Sequence, residues 1–218
     1  KWKFYKTDRY GFNNFDKKWD SNNKIFMVGD SFGVGECVNQ QDTLEGQISN
    51  LLEEYSLINL SQTGNGPLLE IASFIEYAEK FKPKILIWFY FEGNDLFELR
   101  DEKKQKLLMN YVNEKGFNQN LNLYQSNIDN HIISRIKTYS STHQSQKKLS
   151  KKVYKFVTLT LLRSKVNLIK SNYNSNTLDN VDDLFFEIIN KANMIMKNNN
   201  GKIYFVYLPN SEKISKPH

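Results

Sequence analysis

Hydrophobic residues in this chain fall into four short continuous runs, separated by longer stretches in which they return every three or four positions. Continuous runs bounded by turn residues read as buried strands, and the slower recurrence reads as helix. The runs are Lys24 to Val28, Ser56 to Leu60, Lys84 to Phe91 and Lys202 to Leu208. After the first, Leu44, Ile48, Leu51, Leu52 and Tyr55 predict an amphipathic helix of about three turns, opened by a capping box of Asp42 and Glu45. After the second, Leu68, Ile71, Ala72, Ile75 and Ala78 predict another, with Pro67 as its first residue and Pro83 as its stop. Before the fourth, Val181, Leu184, Phe185, Ile188, Ala192 and Ile195 predict a third, ended by the run Asn198 to Gly201.

Strands alternating with helices predict an α/β protein, a three-layer α/β/α sandwich around a flavodoxin-like parallel sheet in the order 2-1-3-4. The run Lys84 to Phe91 is apolar on both faces, as befits a central parallel strand covered by helices on each side. Residues 1–23 are polar and aromatic by turns and are expected to form an arm beside the first strand. From 96 to 180 the pattern loosens into charged and Asn-rich segments with two helix-like stretches, 96–112 and 149–169. A connection of that length is an insertion in its own right, expected as a helical cap over the strand ends. The chain thus reads as one domain, 1–218, with an insertion at 96–180.

Charge modifies this picture only locally. The net charge is +6, yet ten basic residues and no acids lie between Asp129 and Asp179, so the remainder is slightly acidic. That balance, with no zinc-finger, RNP or helix-turn-helix signature, argues against nucleic acid as a partner. The basic stretch 135–170 reads as a solvated helix face that could also meet an anionic surface. No apolar run is long enough to span a bilayer. The single cysteine, Cys37, excludes an intrachain disulfide and is expected as a packing thiol rather than a nucleophile.

Chemistry concentrates at the ends of the first three strands. Each runs into a polar turn containing glycine: Gly29-Asp30-Ser31, then Ser61 to Pro67 with Gly64, then Glu92-Gly93-Asn94-Asp95. In a parallel sheet those turns lie side by side where open α/β folds gather ligands. A serine hydroxyl at a strand end, a glycine N–H and an amide side chain together form the apparatus of acyl transfer. Asp30 and Asp95 read as turn-holding residues that accept local backbone hydrogen bonds. Other assignments fail on the residues. Gly33-Val34-Gly35 lacks the third glycine of a dinucleotide fingerprint, no Lys-Ser/Thr pair completes a phosphate loop, and no Cys/His spacing suits zinc.

These three turns resemble the SGNH (GDSL-type) hydrolase family: G-D-S at 29–31 resembles its first block, Gly64 in N-L-S-Q-T-G-N-G-P its second, and G-N-D at 93–95 its third. The resemblance spans residues 24–95. It implies Ser31 as nucleophile, with the backbone N–H groups of Ser31 and Gly64 and the side chain of Asn94 as an oxyanion hole. It implies no cofactor or metal and a small acyl ester as substrate, such as an O-acetyl group on a carbohydrate. The cell envelope or periplasm is the compartment the analogy favours. An O-acyltransferase using the same nucleophile and a non-catalytic carbohydrate- or surface-binding module are the alternatives. The family's third block is G-x-N-D, whereas here the glycine is displaced to Gly93 behind Glu92. Gly33 stands where a small hydroxyl residue is common. The fourth block, D-x-x-H, has no counterpart, and His131 and His143 read as surface residues, so the chain is expected to lack a C-terminal strand and helix.

Overall fold

The computed structural model describes residues 7–146 and 179–210. They divide into two units, residues 1–122 with 179–218, and residues 123–178. The first unit is built on four strands, β1 (Lys24–Val28), β2 (Ser56–Asn59), β3 (Ile85–Phe91) and β4 (Lys202–Leu208). All neighbours pair in parallel, and the order is β2-β1-β3-β4, as the pattern predicts. β3 lies between two partners with Leu86, Trp88, Phe89 and Tyr90 buried, which is why its run is apolar on both faces.

Helices cover both faces. One layer contains α3 (Pro67–Ser73, prolonged by a π-turn at Phe74–Ala78), α4 (Asp95–Glu102), α5 (Lys106–Asn113) and α7 (Asp179–Asn198). Leu68, Ile71, Phe74, Ile188, Ala192 and Met196 from this layer close with Phe26, Val28, Ile58 and Trp88 of the sheet into one buried cluster. Pro67 opens α3 at its first residue, where its missing N–H costs nothing. The segment ends at Lys82, with a left-handed φ of 49°, immediately before Pro83. The predicted helix-like stretch 96–112 is two helices, α4 and α5, broken between Lys103 and Gln105. Both pack on α3 within the sheet unit.

The opposite face carries α1 (Ser31–Val34) and α2 (Leu44–Leu51). Here the local reading is corrected. α2 is capped by Thr43, whose hydroxyl accepts from Gly46 N at 3.0 Å, and not by a capping box of Asp42 and Glu45. Glu45 is buried instead, holding Lys18 and accepting from Ser49 Oγ (2.9 Å) and Gln40 Nε2 (3.0 Å). Of the predicted apolar stripe only Ile48 packs on the sheet cluster, while Leu51 is 82 % exposed. The anchor of α2 is thus largely an ion pair with the N-terminal arm, and periodicity alone does not reveal it.

The arm packs as expected along β1, through Trp19 against Phe26, but it also reaches β2. Asp8 organises it by accepting from Tyr10 N, Phe12 N, Asn14 Nδ2 and Trp19 Nε1. Cys37 is exposed and not the packing thiol expected, because the chain leaves α1 at Gly35 into a surface loop. The second unit contributes one described helix, α6 (Gln125–Gln146). The stretch 149–169 lies outside the described residues. No described helix is long and apolar enough to cross a membrane.

Candidate functional site

β1, β2 and β3 run parallel, so the turns that follow them emerge at one end of the sheet. The structure ties these turns to one another directly. Gln62 N donates to Gly29 O at 3.2 Å, linking the first and second. Asn94 Nδ2 donates to Asp30 Oδ2 at 3.2 Å, linking the third to the first. The rings of Phe32, after the first turn, and Phe91, before the third, also meet, at 4.3 Å between centroids.

Ser31 is the first residue of the one-turn helix α1 and is partly exposed. Asp30 caps that helix, its Oδ1 accepting from Phe32 N at 2.9 Å. Asp95 performs the matching service in the third turn, its Oδ2 accepting from Phe91 N at 2.8 Å. Both acids therefore hold turns, as their local chemistry suggests. Gly64 is exposed with φ of 78°, and an added Cβ would meet nothing within 4 Å. Its glycine is explained by the left-handed backbone and not by a close approach. The close approach belongs to Gly66, where a Cβ would stand 2.8 Å from Glu98 Cβ and from Glu102 Oε2.

Asn94 is the residue before α4, and its amide is doubly engaged, donating to Asp30 Oδ2 and to Glu98 Oε1 at 3.1 Å. Glu98 is half-buried, and desolvation pushes its carboxyl above the usual range despite the Asn94 bond. Glu102, deeper, accepts from Gly66 N at 2.6 Å and Leu68 N at 2.9 Å, satisfying first-turn donors of α3. Its carboxyl is likewise raised by burial, with those bonds acting in the opposite direction.

Residues that sequence reasoning passed over complete the frame. Asn59, at the end of β2, donates from Nδ2 to Gly33 O at 2.8 Å and accepts from Ser61 N at 2.9 Å. Its own N–H donates to Asn14 Oδ1 at 2.9 Å. The arm, the second strand and the first turn are thereby joined through one buried amide. A polar Asn inside the run Ser56 to Leu60 is the signal that could have found it. Ser61 Oγ is buried at 3.4 Å from the Cβ position of Gly29 and 2.2 Å from that of Gly33. Gly33 is therefore a glycine because Ser61 fills the space.

Among the described residues of the sheet unit there is no histidine. His131 lies exposed on α6 in the second unit, where its Nε2 accepts from Arg135 Nε at 3.1 Å. The side chain of His143, and all of His218, fall outside the described residues. Of the basic stretch 135–170, Arg135 and Lys137 are exposed on α6, and the residues from 147 onward are not described. No described group of three or more His, Cys, Asp or Glu could hold a metal ion. A cavity of about 750 Å³ lies away from the three turns, between the far end of α3, α5 and α7, lined by Ile75, Val112, Phe117, Lys191 and Met194 among others. Comparison with protein-family models, with characterised proteins and with solved structures finds no match for this chain.

Proposed function

We propose that this protein is a serine esterase of SGNH type, hydrolysing a small acyl ester, such as an O-acetyl group on a carbohydrate, through an acyl-Ser31 intermediate. The observation that carries the reading is the hydrogen bond from Asn94 to Asp30, which sets an amide donor of the third turn against the residue next to Ser31. The bond from Gln62 N to Gly29 O ties the second turn to the first as well, and acyl transfer is the chemistry that uses a strand-end hydroxyl, backbone N–H groups and an amide together.

In this mechanism Ser31 Oγ attacks the ester carbonyl carbon and its proton passes to a base. The carbonyl oxygen becomes an oxyanion facing the N–H groups of Ser31 and Gly64 and the amide of Asn94. Collapse expels the alcohol, which takes up the proton, and water then releases the acid from Ser31 by the same steps. Asn94 can serve the oxyanion only if one of its N–H groups leaves its present partner. Glu98 is the partner suited to yield, because burial favours its neutral form and a neutral carboxyl accepts more weakly. The base is left to a group outside the described residues of the sheet unit.

The test is turnover of a short p-nitrophenyl ester and labelling by a fluorophosphonate. Ser31→Ala should abolish both while leaving the unfolding transition unchanged. Undiminished turnover in a folded Ser31→Ala protein refutes the assignment.

A further inference from the structure

Two buried carboxyl groups six positions apart on the α3 segment stand in opposite circumstances. Glu76, in the π-turn, is fully partnered, accepting from Tyr111 Oη (2.5 Å), Gln119 N (2.6 Å) and Leu121 N (2.8 Å). Glu70 is 0 % exposed, and neither of its oxygens has a hydrogen-bond partner. No Lys or Arg forms an ion pair with it among the described residues. The groups that face it are Trp88 from β3, Asp95 and Glu102 from α4, and Asp30 from the first turn. Trp88 Nε1 points toward Glu70 without reaching hydrogen-bond geometry and is itself buried without a partner. Asp95 is also 0 % exposed, with Oδ2 on Phe91 N and Oδ1 unpartnered.

Glu70 on α3 and Asp95 and Glu102 on α4 thus lie buried on two helices that pack against each other, and none of the three forms an ion pair among the described residues. A carboxylate cut off from water and from any donor takes up a proton rather than stay charged, and two neighbouring acids in such a place cannot both ionise. Glu102 already has two backbone donors and is the member best able to carry charge. Asp95 has one donor, on Oδ2, which leaves Oδ1 to accept a proton from a neighbour.

We propose that Glu70 carries a proton in the native protein and forms with Asp95 a one-proton acid pair, which braces the Gly93–Asn94 turn from beneath. Both are then positioning residues for Asn94. The acid pair stands without the ester reading, whereas the positioning role rests on it.

Burial agrees in direction, pushing Glu70 well above the ordinary carboxylate range and Asp95 up to about 8. Folding therefore binds a proton that the unfolded chain, with ordinary carboxyls near pH 4, has released. The stability this contributes is complete below about pH 4 and is lost progressively as the pH rises toward about 8.

The direct experiment is infrared spectroscopy of the full chain with ¹³C-carboxyl glutamate at pH 6. A protonated-carboxyl band that loses the intensity of one carboxyl in Glu70→Gln is the expected result, any remainder belonging to Glu98 and Glu102, whose carboxyls burial also raises. Absence of the band from wild type, or a band of undiminished area in the variant, overturns the proposal whether or not the protein turns over esters. The second measurement is Tm between pH 5 and pH 9. The fall in Tm with rising pH should be shallower in Glu70→Gln, and also in Asp95→Asn, which covers the case in which Glu70→Gln does not fold. Slopes equal to wild type in the folded variants overturn the proposal. If the ester reading holds, Glu70→Gln should also shift the alkaline limb of kcat with KM unchanged. A merely space-filling residue would leave that limb in place.

Discussion

Substituting Gly33 by Ala tests how the first two turns are locked together. A Cβ at this position stands 2.2 Å from Ser61 Oγ and 2.7 Å from Ser61 Cβ, far inside contact distance. Gly33 lies within α1 without a left-handed backbone, so Ala itself is conformationally welcome and favours the helix by up to about 1 kcal/mol. Ser61 cannot step aside cheaply. Its N–H donates to Asn59 Oδ1 at 2.9 Å, and the residues on either side are tied to β1 and its turn, Leu60 N to Met27 O at 2.7 Å and Gln62 N to Gly29 O at 3.2 Å. Overpacking of this kind costs about 1–3 kcal/mol, which leaves a net loss of up to about 2 kcal/mol after the full helix gain. Urea unfolding of wild type, Gly33→Ala, Ser61→Gly and the double variant isolates the clash. Removing Ser61's side chain should restore most of what Gly33→Ala loses, giving a coupling of about 1 kcal/mol or more. Additive single variants would refute the argument. Ester turnover should fall in Gly33→Ala and return in the double variant, because the strained helix is the one that begins at Ser31.

Asn94→Ala should lower kcat by about 10²–10³ with little change in KM, the usual cost of one oxyanion donor, in steady-state kinetics on the same ester. An effect confined to KM would make Asn94 a ground-state binding residue instead. Tyr111→Phe removes the hydroxyl that donates to Glu76 at 2.5 Å inside the core, and should cost about 1.5–3 kcal/mol in denaturant unfolding. A variant as stable as wild type would show that the two backbone donors alone satisfy Glu76.

Strand positions, the helices α3 and α7 and the parallel order were legible in the chain because each rests on short-range regularities. β3 is apolar at every position and lies between two strands under helices, and Pro67 and Pro83 bracket the α3 segment by backbone chemistry that operates within a few residues. The three glycine turns were legible for the same reason, and once the strands are parallel the turns must share an edge. What the pattern could not carry is the fate of the charged and polar side chains. Glu45, Glu70, Glu76 and Glu102 occur in stretches that read as ordinary amphipathic or solvated helix, yet all are buried. Their environments are built by partners far along the chain: Lys18 for Glu45, Gln119 and Leu121 for Glu76, Gly66 and Leu68 for Glu102. The Asn94–Asp30 bond joins residues 64 apart, and Asn14 meets Asn59 across 45. Periodicity reports which side of a helix is apolar; it holds no information on what stands opposite. Only the sheet order brings the end of β3 against the end of β1, and only that packing decides which carboxyls keep water and which must find a donor or a proton.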